Sequence, residues 1–106
     1  MMKISTLAIA LLCVVDLSGC STNFAPPPVT SEMARRKSGQ HVDLATLRDG
    51  RALFVSRCIE CHTLPAISRY HIQEWPCLVD IMAPRAKLGP AERDAVVAYI
   101  RSAYPN

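Results

Sequence analysis

The plainest chemical capacity in the chain of 106 residues lies at Cys58, Ile59, Glu60, Cys61 and His62, a CxxCH run. On a helix end, two thiols three apart face one side. Their sulfurs can reach the two vinyl groups of a porphyrin, and the adjacent imidazole can swing beneath it to ligate iron. This is the attachment pattern of covalently bound c-type haem. A bare CxxC also serves redox dithiols and half-sites for zinc. A thioredoxin-like dithiol needs strands around it, and no strand-like alternation runs between residues 44 and 104. Structural zinc needs a second short-spaced pair, whereas the available ligands His71 and Cys77 are six apart. The directly following His62 and the helical pattern around it favour haem.

The segments that carry this motif begin with an export signal. Met1, Met2 and Lys3 make a short positive start, and residues 4–15 are apolar apart from Ser5 and Thr6, with Asp16 placed late in the run. That length suits a secretory core better than a bilayer span, which needs about 20 residues. The sequence Leu17, Ser18, Gly19, Cys20 then resembles the lipobox of bacterial lipoproteins. The resemblance implies cleavage before Cys20, diacylation of its thiol, and loss of Cys13 with a signal peptide of residues 1–19. An ordinary cleaved signal followed by a chance cysteine is the alternative. Ser21 stands where an aspartate would favour retention at the inner membrane, so the resemblance implies the periplasmic side of the outer membrane rather than the inner.

Residues 20–43 read as a lipid-anchored tether. Pro26, Pro27 and Pro28 favour extended polyproline backbone, and no apolar period of 2 or 3.6 holds through the segment. At about 3.1 Å per residue it could hold a domain tens of ångströms from a lipid surface. Arg35, Arg36 and Lys37 are expected to be solvated, with contact to anionic headgroups the alternative. A net charge of +3 without clustering argues against nucleic-acid binding. Residues 44–106 are left as the single folded domain. At roughly sixty residues, a core alone seldom gives more than about 3–5 kcal/mol, so a covalent cofactor would act as a needed staple.

Helical signals frame the motif on both sides. Gly50 and Phe54 stand eight and four residues before Cys58. Downstream, Leu88 enters as an apolar staple, Gly89 is an acceptable cap, Pro90 takes the first helical position and Glu92 sits near the positive dipole end. A stripe of Val96, Val97 and Ile100, flanked by Tyr99 and Tyr104 with Arg93, Asp94 and Arg101 outside, predicts a one-sided amphipathic helix.

Taken with CxxCH, these features resemble class I c-type cytochromes over most of the domain. The resemblance implies an all-α fold, the small cytochrome c fold, with three to four helices wrapped around one covalent haem c. It implies thioethers at Cys58 and Cys61, His62 as proximal iron ligand, and a crossing of Gly50 by a C-terminal helix carrying Tyr99. Pro65 takes the place where the family often uses a proline carbonyl to fix the proximal imidazole, and a simple turn proline is the alternative. The stretch from Trp75 to Met82 resembles the short helix that ends at the family's distal methionine, so Met82 is the expected distal ligand. Among the other donors, Met33 lies in the tether, His41 just before the domain, and His71 is the competing second imidazole across a short loop. Cys77 matches no part of the family pattern. It is expected either to be buried beside the haem, sharing a helix side with Ile81, or to form an intermolecular disulfide.

The function expected from this reading is single-electron transfer between redox protein partners by a lipid-anchored monohaem carrier. An imidazole and a thioether saturate iron and leave no open position, so the chain is not expected to be an enzyme. A haem-based gas or redox sensor, or the haem subunit of a larger periplasmic oxidoreductase, is the alternative. A structural lipoprotein without haem accounts poorly for CxxCH.

Overall fold

The structure, a computed structural model, describes residues 25–35, 42–60 and 63–105. The export signal, Cys20, His41, Cys61 and His62 lie outside the described residues. Among the described residues four α-helices run in chain order: α1 (Ser31–Arg35), α2 (Leu44–Arg57), α3 (Trp75–Met82) and α4 (Pro90–Ala103). Short 3-10 turns follow α2 at Cys58–Glu60 and occupy the loop before α3 at Ile67–Arg69. Among the described residues there is no strand, and the architecture is all-α.

α2 and α4 form the most extensive helix pair. The face α2 turns to its partner carries Leu47, Gly50 and Phe54, at the three-and-four spacing that repeats on one side of a helix. Gly50 makes the close crossing possible. A Cβ built on it would fall 2.0 Å from the carbonyl oxygen of Ala95 and 2.9 Å from Cβ of Tyr99, distances no real side chain tolerates. The two backbones touch because one residue has no side chain.

α4 begins where the sequence places it. The amide of Gly89 donates to Oε1 of Glu92 at 3.1 Å, satisfying a backbone group that an uncapped first turn would leave to water. Its buried face is broader than a stripe: Ala95, Val96, Val97, Tyr99, Ile100, Ser102 and Ala103 are all buried. Tyr99, expected on the flank, is 0% exposed. The crossing at Gly50 brings α2 so close that positions beside the stripe are enclosed too.

α3 lies against α4 with Trp75 and Val79 buried. It is pinned there by Arg93, whose Nε pairs with Oδ1 of Asp80 at 2.6 Å and whose guanidinium also meets Asp94 at 3.0 Å. That hydrogen bond from Arg93 holds the Asp80 carboxyl below its ordinary range. The chain leaves α3 through a tight turn in which Lys87 adopts the left-handed conformation, φ 55°. Ala86 donates back to the carbonyl of Met82 at 2.9 Å, closing the turn directly behind that residue.

The proline-rich segment departs from the expectation of a free tether. Its described part lies on the helical body: Arg51 donates from Nε to the carbonyl of Pro27 at 2.9 Å and from its terminal nitrogen to Pro26 at 3.1 Å. The hydroxyl of Tyr99 donates to the same Pro27 carbonyl at 2.7 Å. Val29 and Met33 pack on the core cluster. Polyproline backbone has no internal hydrogen bonds, so its carbonyls are available to any donor the domain presents, and Arg51 and Tyr99 supply three.

Candidate functional site

Between α2, the loop before α3, and α3 itself opens an apolar cleft. Its free space is small, about 20 Å³, and it is lined by Phe54, Cys58, Pro65, Tyr70, Trp75, Leu78, Val79, Met82 and Leu88. Apart from the two sulfurs, the polar atoms among these side chains are the Tyr70 hydroxyl and the Trp75 indole N–H. The indole is already engaged, donating to the carbonyl of Ile67 at 2.9 Å. A second, wider hollow of about 520 Å³ is lined by Thr63, Leu64, Pro65, Ala66, Arg69, Tyr70 and Met82. The two hollows share Pro65, Tyr70 and Met82 in their walls.

Each wall has a local cause. Phe54 comes from the buried face of α2, one turn before Cys58, and both therefore look into the same space. α3 offers Trp75, Leu78, Val79 and Met82, the i, i+3, i+4, i+7 set of one helical side. Pro76 at the start of α3 costs nothing, because the amide it lacks would have had no partner in the first turn. The aromatic residues interlock: Phe54 and Trp75 meet edge to face with centroids 6.0 Å apart, and Tyr70 and Trp75 do so at 5.6 Å. Such packing fixes the walls without polar groups.

The structure thus brings together Cys58, Pro65 and Met82, three of the residues singled out in the sequence. Cys61 and His62, the other expected donors, lie outside the described residues, as does Cys20. His71 is not brought in. It is exposed, its amide donates to Oε2 of Glu74 at 2.7 Å, and its Nδ1 accepts from the amide of Gln73 at 3.4 Å. It stabilises the turn entering α3 and does not line the cleft.

Cys77 requires a correction. Its thiol is exposed, and Ile81, with which it shares a helix side, is 62% exposed. Packing of Trp75 and Val79 against α4 sets the rotation of α3, which turns Leu78 and Met82 inward and Cys77 and Ile81 to solvent.

The sequence reading missed the contributions of Tyr70, Trp75 and Leu88 to the cleft. A Trp at the first position of a short apolar helix was the available signal. Its indole partner, the carbonyl of Ile67, lies in an irregular loop that no periodicity marks.

The residues present fit a planar apolar group carrying a metal. A thiol and a thioether border the same recess, the walls are aromatic and aliphatic, and no carboxylate enters it. Among the described residues no three of His, Cys, Asp and Glu cluster into a site for a bare metal ion, and no helix is long and apolar enough to cross a membrane. No protein-family model matches the chain, and searches of curated proteins and of solved structures return no match either.

Proposed function

We propose that this chain is a class I monohaem c-type cytochrome, anchored by lipid at Cys20 on the periplasmic side of the outer membrane, that passes single electrons between redox protein partners. The observation that supports the reading best is the meeting of Cys58 and Met82 on one apolar cleft, while His71 stays outside it. Cys58 and Cys61 would hold haem c through thioethers, and His62 and Met82 would ligate its iron. When bound, the iron supplies a one-electron ferric–ferrous couple.

The chain's own residues set the conditions for that couple. Phe54, Leu78, Val79 and Leu88 exclude water from the cleft floor, and a low dielectric favours the less charged, reduced state. The soft sulfur of Met82 acts in the same direction, and a thioether binds without losing a proton. Pro65 stands at the cleft edge, three residues after His62, where its carbonyl could accept from the proximal imidazole. With His62 and Met82 both given to the iron, the reading would need no substrate site, and we assign no catalytic residue. The pyridine haemochrome spectrum of protein produced with the c-type maturation machinery tests the proposal. The bands of a haem bound through two thioethers are expected, and protein that emerges colourless from a competent host would end it.

A further inference from the structure

The described part of the proline-rich segment is anchored at both ends of its length. Near its start, the carbonyls of Pro26 and Pro27 take three donors from Arg51 and Tyr99, at 2.7 to 3.1 Å. Further on, Val29 and Met33 pack on the core cluster. α1, which contains Met33, has only five residues. A helix of that length does not persist alone in water, because nucleation costs more than one turn returns, so its presence reflects docking on α2 and α4.

The start of the segment also has a defined neighbourhood. Ala25, Pro26 and Pro27 line a surface hollow together with Pro65, Ala66, Ile67, Ser68, Ala103 and Pro105. The chain therefore enters the folded body beside residues 65–68, the loop that also walls the cleft, and beside the end of α4. Four residues separate Cys20 from Ala25. Even fully extended, those five peptide links span at most about 18 Å.

From this the geometry points to residues 25–35 as a strap rather than a tether: it holds the face around residues 65–68 and the end of α4 toward the lipid surface. The inference rests on the proposed lipid attachment at Cys20. A bilayer is the partner this face would meet, and the docked strap leaves the body too little free chain to turn that face away. A free tether of the same residues would allow the domain any orientation and a reach of tens of ångströms.

The test uses the full mature protein on oriented multilayers of phosphatidylethanolamine and phosphatidylglycerol, read by linear dichroism of the Soret band and by hydrogen exchange of the α1 amides. One variant, Val29→Asp with Met33→Asp, undocks the strap without touching the body. A second, Arg51→Ala with Tyr99→Phe, removes the three donors. The wild type should show a dichroic Soret band and α1 amides exchanging at least tenfold more slowly than in either variant, and the variants should lose the dichroism. Equal exchange in wild type and both variants, or dichroism that survives undocking, overturns the strap. An intact mass showing Cys20 unmodified, or a chain without a Soret band, instead defeats the underlying functional reading and with it the membrane orientation. The exchange arm still decides whether the strap is docked.

Discussion

At the scale of single residues, Met82 and Tyr99 carry the sharpest expectations. Met82 ends α3 on the cleft side, half-buried, with its carbonyl tied to Ala86. If its sulfur is the distal donor, the oxidised protein should show a weak sulfur-to-iron charge-transfer band in the far red. Met82→Ala should abolish the band, lower the potential and admit carbon monoxide, whereas His71→Ala should leave all three unchanged. A wild type without the band, in which His71→Ala opens the site, would point to two imidazoles and low-potential transfer.

Tyr99 is expected to reveal itself in alkali. Burial raises its hydroxyl pKa above the ordinary value, against the opposing pull of Arg51. A tyrosine in the unfolded chain ionises near pH 10. The folded protein keeps the proton longer, so this contribution is complete below about pH 10 and is lost as pH rises through the folded value. Denaturant unfolding between pH 9 and 11 should therefore show a fall in stability that Tyr99→Phe diminishes. At neutral pH the same variant should cost about 0.5–1.5 kcal/mol for the hydrogen bond to Pro27.

At the scale of elements, the crossing of α2 and α4 decides the shape of the domain, and Gly50 decides the crossing. Alanine is favoured over glycine in a helix interior by about 1 kcal/mol. Here that gain is overwhelmed, since the added Cβ would meet the Ala95 carbonyl carbon at 2.6 Å and its oxygen closer still. Both are backbone atoms of a helix and cannot swing aside. Gly50→Ala should destabilise by roughly 3–5 kcal/mol in chemical unfolding, and a stabilised variant would contradict the close packing. The Arg93 bridge from α4 to α3 is a different kind of contact. Asp80 is exposed, so its pairing is screened by water and salt. Its depressed carboxyl contributes above the ordinary aspartate range, and the contribution disappears as pH falls through the depressed value. Asp80→Asn should produce only a small change, confined to higher pH and reduced by salt.

At the scale of the whole molecule, the main core cluster among the described residues runs from Phe54 to Ala103. Phe54, Trp75 and Val79 of this cluster also wall the cleft. If the proposed haem fills it, a domain of this size is expected to depend on that filling. Cys61→Ala, which leaves one attachment point at most, should accumulate as unfolded or degraded chain. A folded, haem-free variant with native helicity would contradict this. Acylation is a property of the whole chain as well: intact mass of the native protein should show a mature amino terminus at Cys20 carrying acyl groups.

Local chemistry wrote much of the helical framework into the sequence. Gly89, Pro90 and Glu92 form a start signal within four residues, and α4 begins there because capping depends only on near neighbours. The span of α3, ending at Met82, and the crossing at Gly50 were expected from the family resemblance instead, since the partners of Gly50, Ala95 and Tyr99, are distant in the chain. The rotation of α3 was not, because Cys77 with Ile81 and Leu78 with Met82 are equally good helix sides until Trp75 and Val79 find α4. Tyr99 flanks the stripe by periodicity alone, while the resemblance set it at the crossing over Gly50, where it is found buried. The docking of the proline segment was the least legible of all. Its bonds join residues 24 to 72 apart, and a polyproline stretch offers carbonyls without indicating which donors will take them. Only the tertiary structure, by setting Arg51 and Tyr99 side by side at the α2–α4 crossing, made the donors that turn this segment from a spacer into part of the fold.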